Sequence, residues 1–469
     1  MGMLIAGRTI QGVGAAGLVL LVNIILSDIF PIKERAKYMG LTNTSWAVAA
    51  AIGPLIGGAF AQNVTWRWCF YLNLPLNGVV FVLLLTCLRI NQQKAIFVTS
   101  VKSIDAFGLL LIIGGTVMLL LGLQFGANSH SWSSATVICL ISFGLLLMVL
   151  FLFFERILEK KWTQRPIIPV AIIKDRSVLP AFFCFWVHGI IGIAPYYFLP
   201  LFFQTVRGDT PLLSGVYILP MVVTAAVTTM ATGIFAKTTG YIVEPIWAGF
   251  VLTTLGLGLF INLDPQSSWS KLITYQLIFG IGLGPNYSAP LLAVQRVVKP
   301  KDIAAVTSTL AFSRQLGSAF SLVIGGIIFS SFLNKELPTL VATLGSEATS
   351  RFLDSNAETN AGFINGLKDA QKRSVQKVYA DSMRPMYYVY VALSGLALVT
   401  SLLIERGRLA DEGEQDLASS REESQEKTTV KPVKHPSLET LPLRIDPFDA
   451  VEILTQVYSS CSEDSLDRV

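Results

Sequence analysis

Apolar residues along this chain gather into long runs, and charged residues gather in the short segments between them. A run of about 20 mainly apolar residues is enough to cross a bilayer as a helix. Eleven runs qualify, at about 2–26, 38–61, 70–89, 105–125, 135–155, 178–203, 212–236, 243–263, 272–295, 303–332 and 386–404. The pattern predicts an all-α, polytopic membrane protein with about eleven transmembrane helices.

Composition agrees with that reading. The 469 residues are 52% hydrophobic and only 14% charged. A soluble domain carries about 25% charged residues. The net charge of +5 is spread over short loops rather than one basic face, which argues against a nucleic-acid partner. One alternate set of loops holds Lys33, Arg35, Lys37, then Arg89, Lys94, Lys102, then Arg156, Lys160, Lys161, Arg165, Lys174, Arg176, then Lys237, then Arg296, Lys299, Lys301. The opposite short loops hold only Arg67, Arg207 and Lys271. The basic set is therefore expected on the cytoplasmic side.

The stretch 333–385 falls outside by parity yet carries Lys335, Arg351, Lys368, Lys372, Arg373, Lys377 and Arg384. Phe363, Leu367, Ala370, Val375 and Val378 recur there at near-helical spacing, so it reads either as a short amphipathic helix on the outer surface or as an irregular loop. Residues 405–469 are charged and Ser-rich, as in a disordered cytoplasmic tail.

The five cysteines show no disulfide framework or metal spacing, and His130, His188 and His435 form no cluster. There is no phosphate-binding GxxxxGK[S/T] loop, no HExxH and no GxSxG. No cofactor, metal or catalytic centre is expected, and ATP-driven pumping or intramembrane enzymology finds no motif.

The second apolar run ends in Gly53-Pro54-Leu55-Ile56-Gly57-Gly58. Such residues would ruin a soluble helix, but in a membrane they allow backbones to pack closely. An internal repeat includes this segment. Gly12 and Gly14 lie 268 positions before Gly280 and Gly282, and the same offset brings Glu34 onto Asp302, Ala36 onto Ala304, and Ile56-Gly57-Gly58 onto Ile324-Gly325-Gly326. Two parallel halves follow. The expected domains are a partial N-terminal bundle over 1–90, two linker helices over 91–165, a six-helix C-terminal bundle over 166–404 and the tail. A symmetric parent would hold three more helices before Met1, which predicts an N-terminally truncated chain.

Gly40, Ala49 and Gly53-Pro54-x-x-Gly57-Gly58 together resemble the antiporter motif of the major facilitator superfamily, with alanine at one expected glycine. Gly7-Arg8-Thr9-Ile10-Gln11-Gly12 is similar to the motif of that family's fourth helix, and Asp28 to Arg35 resembles the loop that follows it. Trp66-Arg67-Trp68-x-Phe70-Tyr71-x-Asn73-x-Pro75, Leu199 to Gln204 and Arg314-Gln315-Leu316-Gly317 resemble the fourteen-helix drug:proton antiporter branch, similar in flavour to fungal toxin and multidrug efflux pumps. The resemblance implies a two-bundle fold with the first three of fourteen helices missing. It also implies export of hydrophobic toxins, drugs or secondary metabolites, with protons and the lipid bilayer as partners.

Candidate residues follow. Arg8, Gln11 and Gly12 are candidates for coupling: a charge in an apolar run costs about 2.5–3.5 kcal/mol on insertion scales and belongs in a cavity, unless Arg8 snorkels from the outer end. Arg314 and Gln315, deep in the tenth run, are expected to line a cavity. Gly40, Gly53, Pro54, Gly57 and Gly58 form the face that seals a gate, or pack as ordinary small residues. Asp28, Glu34 and Arg35 form a cytoplasmic latch or a solvated loop. Tyr196, Tyr197 and Gln204, with Asn286 and Tyr287 beside Pro285, are candidates for substrate binding. His188 reads as a packing histidine.

The chain is thus expected to be a multi-pass efflux transporter of the plasma or vacuolar membrane, working by proton antiport with alternating access. A truncated sensor or regulatory form is the alternative.

Overall fold

A computed structural model describes residues 2–65, 67–87, 105–128, 132–161, 176, 178–298, 302–345, 364 and 366–407. Fifteen helices run through them in the order α1 (Gly2–Ile29), α2 (Ile32–Asn63), α3 (Trp68–Tyr71), α4 (Asn73–Cys87), α5 (Ala106–Asn128), α6 (Ala135–Lys161), α7 (Val178–Thr205), α8 (Pro211–Tyr217), α9 (Leu219–Thr239), α10 (Val243–Phe260), α11 (Trp269–Leu283), α12 (Pro285–Val297), α13 (Ile303–Lys335), α14 (Leu337–Leu344) and α15 (Asp369–Ser401). No strand occurs among the described residues.

Every apolar run falls on a helix or on two helices in line. Among the described residues, nine helical stretches are long and apolar enough to cross a membrane. The other two runs lie on α2 and α15, whose first turns are charged: Lys33, Glu34, Arg35 and Lys37 on one, Asp369, Lys372 and Arg373 on the other.

Local chemistry sets the breaks. Thr210 caps α8 by accepting from the Leu213 amide at 3.3 Å, and Ser268 caps α11 by accepting from Lys271 N at 3.3 Å. Asp105 Oδ1 accepts from the Gly108 amide at 2.9 Å where α5 begins. Gly240 ends α9 in the left-handed region at φ 75°, which only glycine adopts at little cost. Pro220 separates α8 from α9, and Pro285 separates α11 from α12.

One core joins α7 and α9–α13 with α15, through fully buried Phe198, Phe203, Phe250, Phe279, Phe329, Tyr379 and Tyr390. Helix α2 packs most closely on α9, and α7 on α13. Helices α5 and α6 pair with each other, Gly115 against the Gly144 carbonyl, and α5 also leans on α13. The helix bounds follow the sequence repeat: α1 moved by 268 positions falls on 270–297, where α11 and α12 run, and α2 falls on 300–331, within two turns of α13 at both ends.

The stretch 333–385 differs from the expectation. Helix α13 continues to Lys335, α14 follows, and α15 already begins at Asp369, continuous with the last apolar run. The charges of 369–384 hid this helix from a hydropathy window. Its apolar face is nevertheless buried through Val375, Val378, Tyr379, Met383 and Met386. Gln371 donates to the Thr343 carbonyl of α14 at 3.0 Å, and Arg384 pairs with Asp264 and with Asp381. The tail beyond 407, Trp66 and the basic loop residues Arg89, Lys94, Lys102, Arg165 and Lys174 lie outside the described residues, as do the side chains of Asp28 and Pro54.

Candidate functional site

Glycine decides where the central helices meet. A Cβ at Gly189 of α7 would lie 2.2 Å from the Arg314 carbonyl, and one at Gly317 of α13 would lie 2.5 Å from the Trp186 carbonyl. The two backbones therefore touch, and Ser318 Oγ donates to the Gly189 carbonyl at 3.1 Å. This crossing brings Arg314 of α13 beside Phe185 and His188 of α7.

The break at Gly284-Pro285 then turns α12 so that neighbouring residues face opposite ways. Asn286 is fully buried against α10, where its amide reaches Ile246 O and Phe250 N at 3.2 Å each. Tyr287 faces the other way, toward Arg314. The guanidinium carbon of Arg314 lies 4.6 Å from the centre of the Tyr287 ring and 5.7 Å from that of Phe185. His188 meets Tyr287 edge-on at 5.2 Å.

Two cavities share Arg314 and Tyr287 as wall. The larger, about 450 Å³, is lined by Val19, Val22 and Asn23 of α1, Met39, Thr42 and Ser45 of α2, Phe185, Tyr287, Ser288, Leu291, Thr307, Ala311 and Arg314. The smaller, about 140 Å³, is lined by His188, Gly189, Gly192, Ile193, Tyr196, Leu283, Tyr287, Arg314, Gln315 and Ser318. Only the smaller one is small by the standard of ligand pockets, which run to about 300–1,000 Å³.

His188 is 2% exposed, and neither of its ring nitrogens makes a hydrogen bond of good geometry among the described residues, the Leu283 backbone being the group beside it. Leaving a buried polar group unsatisfied costs about 1–3 kcal/mol.

The candidates from sequence divide around these cavities. Arg314, Gln315, Tyr196 and Tyr287 come together. Arg8 and Gln11 meet each other instead: Arg8 is exposed on α1, donates to Gln11 Oε1 at 3.0 Å and lies 5.8 Å over the Phe70 ring. A Cβ at Gly12 would meet no atom of another element within 4 Å. Tyr197 is exposed and packs edge-on to Phe198 at 5.1 Å. Gln204 donates to Ser214 Oγ at 2.9 Å, tying α7 to α8.

The glycines of α2 split as well. A Cβ at Gly40 would lie 3.3 Å from Met230 Cα of α9, and one at Gly58 would lie 3.3 Å from Leu212 Cα of α8. Gly53 and Gly57 instead line a third cavity of about 430 Å³ with Ile56, Cys69 and Asn73.

At the basic-loop end, Glu34 pairs with Lys237 at the end of α9. Arg35 is 6% exposed and donates to Gln295 Oε1 at 3.1 Å and to the Ser27 carbonyl at 2.6 Å. Gln295 donates in turn to Thr307 Oγ1 at 2.9 Å. This chain of contacts links α2, α12 and α13. Gln295, Thr307 and Phe185 escaped the sequence reading, Lys237 entered it only as a loop cation, and His188 only as a packing residue. Buried polar residues on apolar helices are the signal, but a lone glutamine does not name its partner 260 residues away.

The family and sequence comparisons agree with this architecture. The Major Facilitator Superfamily model matches residues 1–105 and 106–322. "Efflux pump dotC" of Dothistroma septosporum is 42% identical over 409 residues, covering 87% of this chain and 70% of that protein. "MFS-type transporter ppz2" of Metarhizium majus is 40% identical over 397 residues, covering 85% and 68%. A solved bacterial homologue of the human lysosomal transporter Spinster, inward-facing and occupied, shares 16% identity over 82% of this chain and 72% of its own, with a TM-score of 0.46. With a family match over most of its length and relatives at 40% and 42% identity, this multi-pass membrane chain belongs to the major facilitator superfamily.

Proposed function

We propose that the chain exports hydrophobic small molecules by proton antiport, its two helix sets alternately opening the Arg314 cavity to either side of the membrane. Support comes from one observation above all: helices of both sets, α1 and α2 on one hand and α7, α12 and α13 on the other, contribute to a single cavity wall. A site held between two sets can be exposed by rocking one against the other. The relatives named efflux pumps support the direction of transport.

The contacts at the basic-loop end suit a gate. Glu34–Lys237 and Arg35–Gln295 cross between the sets at one end, while Gly40 and Gly58 let α2 slide closely against α9 and α8. The Glu34–Lys237 pair is partly exposed and contributes only about 0–1 kcal/mol, so that contact can open with little cost. The coupling role of Arg8, Gln11 and Gly12 belongs to the same proposal, as does residence in the plasma or vacuolar membrane.

The test is flux. The full chain in proteoliposomes, under an imposed pH gradient, is expected to move lipophilic dyes against their concentration, and a protonophore is expected to stop it. Saturable dye binding without gradient-driven flux would favour the sensor reading and overturn this one.

A further inference from the structure

We infer that the Arg314 cavities bind a planar aromatic anion: a flat ring system carrying a carboxylate or an ionised phenol or enol. The inference deepens the transport reading and rests on it for its biological meaning.

The first argument is charge. Arg314 is half-buried on the wall of both cavities and pairs with no carboxylate among the described residues. The sequences of α7, α12 and α13 contain no aspartate or glutamate at all. On α1 the only acid is Asp28, at the end of the helix, and Glu34 of α2 already pairs with Lys237. A guanidinium half withdrawn from water loses part of its hydration, and a bound counter-charge would offset that loss. The Tyr287 and Phe185 rings supply part of that through their electron-rich faces. They leave the in-plane N–H donors free for a bidentate anion.

The second argument is shape and polarity. The same two rings give flat apolar surfaces at the point where an anionic oxygen would meet Arg314. A second polar anchor lies in the adjoining smaller cavity, where His188 is almost wholly buried with the Leu283 backbone beside it and at least one ring nitrogen left without a partner among the described residues. A neutral imidazole donates at one nitrogen and accepts at the other. A hydroxyl or carbonyl substituent on the bound ring system would satisfy it. The site therefore asks for a flat aromatic body, one negative charge and one further oxygen.

Intrinsic-fluorescence titration of the full chain in nanodiscs tests this, with empty nanodiscs as the partition control. The probes are 9-anthracenecarboxylate, its neutral carboxamide and 9-aminomethylanthracene, which is cationic. The carboxylate is expected to bind at least about tenfold more tightly than the amide, as a charge-assisted hydrogen bond at a half-buried guanidinium allows. Arg314→Gln should erase that preference, and Arg314→Lys should keep part of it. Equal affinities, a preference for the cation, or a preference that survives Arg314→Gln would overturn the inference. Should Arg314→Gln fail to fold, Ala311→Trp fills the larger cavity beside the cation and is expected to abolish carboxylate binding; unchanged binding would count against the site. Anion preference without gradient-driven flux would sink the transport reading and leave the site standing. Flux without anion preference would do the reverse.

Discussion

Helix α1 and the pair α11–α12 occupy equivalent places in the sequence repeat, yet their surroundings have little in common. Of the most apolar window of α1 none is buried within the described structure; of that of α11–α12, 72% is. The glycines show the same contrast. A Cβ at Gly280 would lie 2.7 Å from the Met221 carbonyl, and one at Gly282 would lie 2.3 Å from Thr253 N, whereas Gly12 and Gly14 meet nothing within 4 Å. Within the Gly-Gly pairs of α2 and α13 the contact changes place. Gly58 touches α8 and Gly57 does not, while Gly325 would strike Tyr390 and Phe198 and Gly326 meets nothing. A repeated glycine is thus a permit for close approach. Which permits are used depends on the neighbour each half receives.

The largest effect should come from the tightest contact. Gly282→Ala forces a methyl into backbone atoms of α10, and overpacking of this kind costs about 1–3 kcal/mol or more. It should lower the thermal midpoint and the yield of monodisperse protein in fluorescence-detected size exclusion. Gly14→Ala should leave both unchanged or slightly improved, since alanine favours helix. Equal losses in the two variants would break the comparison.

Next comes the swap inside the Gly-Gly pairs. Gly325→Ala should destabilise through the Tyr390 hydroxyl and the Phe198 ring, at 2.5 and 2.6 Å. Gly57→Ala should not. Gly58→Ala, with 3.3 Å to Leu212 Cα, should fall between them. Thermal melts of the three variants in one detergent would rank them, and a Gly57 cost equal to that of Gly325 would refute the assignment.

A smaller effect distinguishes the acidic pair of the repeat. Glu34 has Lys237, whereas Asp302 makes no ion pair among the described residues. A double-mutant cycle over Glu34→Gln and Lys237→Gln should give a coupling of about 0–1 kcal/mol that fades with salt. Asp302→Asn with Lys237→Gln should give none.

The smallest lies outside both arms, in the loop joining α7 to α8. Burial raises the Asp209 carboxyl above its ordinary value of 3.8, against the pull of Arg207. A raised carboxylate binds its proton more tightly in the folded state, so stability declines as pH rises through that window and stays lower at neutrality. Asp209→Asn should therefore raise the melting midpoint slightly at pH 7, and the gain should vanish toward pH 4. A gain that grows on acidification would contradict this sign.

How much was legible in sequence follows from the kind of force involved. The apolar runs located the spanning helices because crossing lipid demands about 20 apolar residues whatever the neighbours. Arg314 and Tyr287 could be singled out because a cation and a proline-flanked tyrosine are unusual inside such runs. Asn286 was picked by the same logic and proved to face α10, since one position along a helix turns a side chain by about 100°. Tyr197 and Gln204 likewise point away from the cavity. The first half of α15 could be read only as a short amphipathic helix or an irregular loop, because its contacts, not its mean hydropathy, hold it in place.

The sequence by itself determined that this chain is a bundle of membrane-crossing helices with a 268-residue internal offset and one deeply placed arginine on α13. Only the tertiary structure decided that Arg314 and Tyr287 stand between two cavities, with Phe185 lining one and His188 the other. It alone also decided that Arg35 reaches Gln295, and which glycines carry a contact. The reason is range. Hydrophobic patterning is written in consecutive residues, whereas a site between helices depends on crossings set by a few close backbone approaches far apart in the chain.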